Sequence, residues 1–180
     1  MEARRQLMHG AAAGAAGISI RDAEPRDLGA VREIYNHYVA TSTVTFDEDG
    51  WTEQEVVAKF DSVVAKALPF LIAEDDSGVV GFAYLAPWRV KAAYRYTVEN
   101  SIYLAASATG RGVGVSLLDA LLDRARAAGI REVIAVLSDE GADASHRLHL
   151  RAGFREVGRL EHVGFKFDRW LGIVLLQKSL

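Results

Sequence analysis

Apolar and polar side chains alternate through Ile18-Ser19-Ile20-Arg21, the period of a short strand. Leu28, Val31, Ile34, Tyr35 and Tyr38 then recur every three or four residues, which places them on one face of a helix. A second helix starts at Thr52, whose spacing to Glu55 is that of a capping box. Its apolar positions are Val56, Val57, Phe60, Val63, Val64 and Ala67, and Pro69 ends it. Phe70 to Ala73 reads as a strand, Asp76-Ser77-Gly78 as a turn, and Val79 to Leu85 as the strand that pairs back. Trp88 to Tyr96 is a loop carrying Arg89, Lys91 and Arg95, and Thr97 to Leu104 is a further strand. Beyond a glycine-rich turn, Gly114, Leu117, Leu118, Leu121, Leu122 and Ala125 share one helical face, with Gly129 as the stop. Glu132 to Leu137 is a buried type of strand, and Asp143 to Arg151 a short helix stopped by Gly153. Phe154 to Leu160 and Phe165 to Gln177 are two closing strands. The order β-α-α-β-β-β-α-β-α-β-β predicts a single α/β domain over residues 18–180, a mixed sheet of about seven strands flanked by about four helices. Residues 1–17 read as a flexible leader, since their Ala/Gly run is too weakly apolar for a secretory signal.

Composition narrows the chemistry. Of 180 residues, 50% are hydrophobic and 25% charged, with 3 Pro, enough to bury a core and unlike a disordered or collagen-like chain. Lys and Arg number 21 against 24 Asp and Glu, a net charge of −3 that supplies no bulk field for nucleic acid. The chain has no cysteine, which excludes disulfides, thiolate metal sites and a cysteinyl acyl-enzyme. No window approaches the ~18 apolar residues of a membrane span, and a cytoplasmic location is expected. His9, His37, His146 and His162 show no metal-binding spacing with carboxylates, so no metal is expected.

Thr109-Gly110-Arg111-Gly112-Val113-Gly114 lies between a strand and a helix. Glycines there let backbone amides converge on one point, and the helix adds the positive end of its dipole, a combination suited to phosphate oxygens. The other reading is a helix entry whose glycines only permit tight packing. A P-loop would need Lys followed by Ser or Thr after the last glycine, where Val115-Ser116 stands, and Val115 also breaks a dinucleotide-binding fingerprint.

Together these features resemble the GNAT superfamily of acyl-CoA-dependent N-acetyltransferases, whose signature is a strand, Gln/Arg-x-x-Gly-x-Gly/Ala and a long helix. Here Ser101-Ile102-Tyr103-Leu104 is the strand, and Gly112 and Gly114 are the two small positions. Within the superfamily, several segments are similar to the phosphinothricin and methionine sulfoximine acetyltransferases. They include Tyr35-Asn36-His37-Tyr38, Ala86-Pro87-Trp88-Arg89, Thr97-Val98-Glu99, Leu148-His149 and Gly164-Phe165-Lys166. Thr109 departs from the Gln or Arg of the signature, and Ala142 stands where the family commonly has Asn.

The resemblance implies a GNAT-like sheet with a central splayed strand, acetyl-CoA as co-substrate, no metal, a small-molecule amine as acceptor and a homodimer. It implies cofactor contacts at Ile102, Tyr103 and Leu104, with the amides of Tyr103 or Leu104 as donors to the thioester oxygen. It also implies pyrophosphate binding by Gly110, Arg111, Gly112, Val113, Gly114 and Val115. Glu99 matches the family's carboxylate and His149 its histidine. An amine attacking a thioester must first lose its proton, so Glu99 is expected as general base, directly or through water. His149 is left with three roles: positioning the amine, relaying its proton, or protonating the leaving thiolate. Phe46, Arg89, Lys91 and Tyr94 match the family's substrate positions, and the cations of that loop suit an anionic acceptor such as an amino acid. The expected reaction is direct acetyl transfer to the α-amino group of a phosphinothricin-, methionine sulfoximine- or methionine sulfone-type amino acid. Other amines, and a non-catalytic acyl-CoA-binding module, are the alternatives.

Overall fold

The computed structural model describes residues 17–180. The expected leader, apart from Gly17, lies outside the described residues.

Seven strands form one sheet: β1 (Ser19–Asp22), β2 (Phe70–Asp75), β3 (Gly78–Pro87), β4 (Thr97–Leu104), β5 (Glu132–Ser138), β6 (Arg155–Lys166) and β7 (Arg169–Ser179). Their order is β1-β2-β3-β4-β5-β7-β6, and only β4 and β5 run parallel. The helices are α1 (Leu28–Thr41), α2 (Glu53–Val64), α3 (Val113–Ala127) and α4 (Asp143–Arg151). This is the element order expected from the sequence, with the mixed sheet and four helices in place.

Each face of the sheet carries its own core. On one side Leu117, Leu118, Leu121 and Ala125 of α3 pack on Leu71, Ala83, Leu85, Val98 and Val133. On the other, Val31 and Tyr35 of α1 and Val56 and Val63 of α2 pack on Phe70, Phe82 and Tyr84. The rings of Phe70, Phe82, Tyr84 and Tyr103 stack across β2, β3 and β4 at centroid separations of 5.2 to 6.4 Å.

The Thr52 hydroxyl accepts from the Glu55 amide while the Glu55 carboxylate accepts from the Thr52 amide, the reciprocal cap that the spacing predicted. Of the expected stripe in α2, Val57 and Val64 face solvent and Ala67 lies beyond the helix end. The helix turns Val56 and Val63 inward onto the aromatic face, leaving those flanking positions outside.

The closing hairpin differs from expectation. β6, expected to end at Leu160, continues to Lys166, so Gly164 lies within the strand and not in a turn, and the reversal is at Phe167 and Asp168, both with positive φ. A register shift between Leu160 and Gly164, with His162 at φ +53°, absorbs extra residues as a bulge. Gly164 has a packing reason instead: a Cβ there would collide with the ring of Phe46.

Candidate active site

Parallel pairing of β4 with β5 is confined to Thr97–Glu99 against Glu132–Ile134, while β4 stays paired with β3 to Leu104. The two central strands therefore splay apart after Glu99. Ladder hydrogen bonds alternate along an antiparallel strand. The Leu85 amide bonds to Pro69 on the β2 side and the Ala105 amide to Val80 on the β3 side. By that alternation and the β3 register, Tyr103 directs its amide toward β3, whereas Ile102 and Leu104 direct theirs into the splay. Of the two amides expected to face a thioester oxygen, Leu104 has the required direction. The Leu104 carbonyl accepts from the Tyr38 hydroxyl at 2.8 Å.

A cavity of about 710 Å³ passes through this gap and is lined from both faces of the sheet. Ile102, Tyr103 and Leu104 line it, as do Gly110, Gly112, Gly114 and Val115 of the turn. Gly110 and Gly112 have φ of +76° and +81°, a region that L side chains adopt at a cost. Gly112 is the N-cap of α3. At Gly114 a Cβ would stand 3.4 Å from Leu148 and 3.5 Å from Leu104, so α3 runs close to both α4 and β4. Backbone amides and a helix N-terminus thus open on the cavity, a geometry that fits a pyrophosphate. Two turn residues point elsewhere. Arg111 pairs with Asp75 at 2.9 Å, and Val113 is fully buried in the core. Thr109, the departure from the signature, lines the cavity and spends its hydroxyl on the Ala106 carbonyl.

β3 and β4 pair Ala86 with Glu99, Tyr84 with Ser101 and Leu85 with Asn100. Paired residues share a face, so Glu99 lies on the α1–α2 side with Tyr84. Burial pushes its carboxyl above the ordinary 4.5, opposed by the charges of Arg89 and Lys59. Lys59 sits with its ammonium 5.6 Å from the Tyr84 ring centroid and 5.9 Å from that of Trp51. Sequence reasoning passed over Lys59, whose only signal was its place three residues after the inward Val56.

His149 enters from α4 on the opposite face and is 1% exposed. Its Nδ1 lies 2.8 Å from the Ser145 carbonyl and its Nε2 2.9 Å from Asn100 Nδ2. Because a carbonyl only accepts, Nδ1 carries the proton and Nε2 is the acceptor. Burial lowers the pKa of the ring, and the Ser145 bond opposes this in part. His149 is thus a neutral imidazole with both nitrogens engaged, and it does not meet Glu99 on a common face. Ala142 also lines the cavity and is buried.

The segment between α1 and α2 forms another wall through Val44, Thr45 and Phe46. Trp51 stacks on Tyr35 at 3.8 Å, Asn36 bonds both backbone groups of Trp51, and the buried Lys166 donates to the Thr45 carbonyl at 2.9 Å. Tyr35-Asn36-His37-Tyr38 therefore supplies packing and cavity wall, with Tyr35 and Tyr38 at the surface of the site. Arg89, Lys91 and Tyr94 do not line this cavity. Arg89 stacks on Trp88 at 3.9 Å, and Arg89 and Lys91 line a second cavity of about 650 Å³ with Lys66 and Arg95, while Tyr94 is exposed. No cluster of three potential metal ligands exists among the described residues, and none of their helices is long and apolar enough to cross a membrane.

Residues 31–154 match the model of the "Acetyltransferase (GNAT) family". The chain belongs to the GNAT acetyltransferase family. It is 41% identical over 162 residues to the phosphinothricin N-acetyltransferase of Alcaligenes faecalis, covering 90% of this chain and 82% of that protein. Identity is 39% over 163 residues to the L-methionine sulfoximine/L-methionine sulfone acetyltransferase of Pseudomonas paraeruginosa, covering 90% of this chain and 94% of that one. The fold superimposes on a GNAT phosphinothricin acetyltransferase from Sinorhizobium meliloti, solved in complex with acetyl-CoA, with a TM-score of 0.86 and 37% identity over 91% of this chain and 89% of the other. This GNAT chain is accordingly an acetyl-CoA-dependent acetyltransferase.

Proposed function

We propose that this enzyme transfers the acetyl group of acetyl-CoA to the α-amino group of a small amino acid of the phosphinothricin, methionine sulfoximine or methionine sulfone type. The reading is carried by Glu99, a half-buried carboxylate at the splay with the charges of Arg89 and Lys59 acting on it. A carboxyl raised by burial is a stronger base toward an ammonium than an exposed one, and cations beside it suit an acceptor bearing its own carboxylate. The names of its relatives point the same way.

The glycine turn holds the pyrophosphate and extends the pantetheine arm into the splay, bringing the thioester to the gap between β4 and β5. The acceptor enters from the α1–α2 side, with Phe46 as a contact and the charge of Arg89 acting at Glu99. Glu99 takes the ammonium proton, the freed amine attacks the thioester carbon, and the Leu104 amide receives the negative charge on the oxygen. The C–S bond then breaks, the attacking nitrogen loses its second proton to the departing thiolate, and CoA leaves as the thiol. Without a cysteine to hold an acyl group, transfer is direct within a ternary complex. His149, with Nδ1 given to Ser145 and Nε2 to Asn100, serves this reaction by positioning. We further assign a cytoplasmic homodimer that covers the exposed Phe165, Phe167 and Trp170 of the β6–β7 hairpin.

The test is release of CoA thiol with acetyl-CoA and a panel of methionine sulfoximine, methionine sulfone, phosphinothricin, plain amino acids, spermidine and an aminoglycoside. The protein contributes no thiol background. Rapid release with the first three is expected, and release with cationic amines alone would overturn the acceptor while leaving the chemistry.

A further inference from the structure

Asn100 is 6% exposed, lines the cavity, and has a side-chain oxygen, Oδ1, with no hydrogen-bond partner. Its orientation is fixed by a chain of obligations. The Ser145 carbonyl takes the His149 Nδ1 proton, His149 Nε2 is left as acceptor, and Asn100 must offer it Nδ2. Oδ1 is what remains, an acceptor shielded from solvent. Buried polar atoms are rarely left in that condition.

The face of the sheet tells which ligand would use it. Asn100 pairs with Leu85, and its neighbours on that side of β4 are Ile102 and Leu104, which pack with α3. This is the side of the glycine turn and α4, across the sheet from Glu99. Acetyl-CoA reaches the splay along a wall that combines Leu137 and Leu148 with the polar Ser138, Ser145 and Arg147. Its pantetheine arm carries two amide N–H groups, whose burial there requires acceptors.

We infer that Asn100 Oδ1 accepts a hydrogen bond from a pantetheine amide N–H of acetyl-CoA, and that His149 is the positioning residue that keeps the Asn100 oxygen available. The inference rests on the acetyl-CoA reading of the cavity and adds the residue that recognises the arm. It gives His149 a task on the cofactor side of the sheet.

Calorimetric binding of CoA and of adenosine 3′,5′-bisphosphate, which lacks the arm, to the wild type and to Asn100→Ala separates the possibilities. Wild type binds both. In Asn100→Ala, CoA binding weakens about tenfold, the scale of one hydrogen bond to a buried acceptor, while the bisphosphate binds as before. The near-isosteric Asn100→Leu, which fills the same space, gives the same pattern should the alanine variant prove unstable. Unchanged CoA affinity overturns the inference. Equal weakening of both ligands overturns it too, because it marks a general distortion. A rise in KM for the amine with CoA affinity intact assigns Oδ1 to the acceptor and also overturns it. If the wild type binds no CoA, the acetyl-CoA reading itself fails and the inference falls with it.

Discussion

Glu99 and Asn100 are adjacent in β4 and face opposite sides of the sheet, the first paired with Ala86 and the second with Leu85. One peptide unit thus separates the side we propose for the amine from the side we propose for the cofactor. The splay that begins after Glu99 is what joins them.

Replacing Glu99 by Gln removes the base and keeps the shape. We expect kcat/KM to fall at least tenfold near neutral pH, the low end of what a general base contributes at about 10²–10⁴-fold. CoA affinity stays within about twofold, since Glu99 lies away from the cofactor side. Burial raises the Glu99 pKa above 4.5. The wild-type rate therefore falls on acidification at a pH above that value, and this limb is absent from the variant. Full activity in Glu99→Gln would reject the assignment.

Lys59→Met keeps the aliphatic packing on Trp51 and Tyr84 and removes the charge. Its ammonium favours ionised Glu99, so its loss moves the acid limb of kcat/KM to higher pH. For an anionic acceptor we expect KM to rise about fivefold, the equivalent of about 1 kcal/mol of screened attraction. A pH profile identical to the wild type would show that Lys59 does not act on Glu99.

Gly112→Val tests the phosphate cradle. At φ +81° a residue with a Cβ is strained, by about 1–2 kcal/mol. The side chain also crowds the cavity wall that Gly112 forms. CoA binding should weaken by about tenfold or more, with a modest drop in Tm. Unchanged affinity, measured by calorimetry on the folded variant, would remove the turn from the site.

Acid sensitivity of folding should trace in part to His149. Its pKa is lowered from 6.5 in the folded state by burial, so between that lowered value and 6.5 the unfolded chain binds more protons. Its contribution to stability is complete above 6.5 and declines as pH falls through this window. Urea midpoints at pH 7.5 and pH 5.5 should therefore differ more in the wild type than in His149→Gln. An equal difference in both would mean that the ring titrates alike in the two states.

Most of the architecture was legible along the chain because its signals are local. The α3 stripe from Leu117 to Ala125, the Thr52–Glu55 cap and the alternation in the strands each depend on neighbours within a few residues. Glu99, His149 and Phe46 were found through family resemblance and the glycine turn through its own residues, and the cavity reaches all of them. Lys59 and Asn100 carried no comparable mark. A lysine in a helix and an asparagine in a strand are ordinary until the tertiary structure shows what they face. The extension of β6 beyond Leu160 to Lys166 depends on a bulge around His162 and on Gly164, whose lack of a Cβ serves a contact with Phe46 across the fold.

Periodicity, capping and turn chemistry therefore determined the elements and their order from the sequence alone, since these obey short-range sterics and hydrogen bonding. Only the tertiary structure decided where β4 leaves β5, which face each β4 side chain serves, and that Arg111 is spent on Asp75 while Asn100 keeps a free oxygen. Those outcomes depend on partners far apart in the chain, such as Asn100 and His149. Pairing of that kind is settled by packing the layers together, which no local pattern encodes.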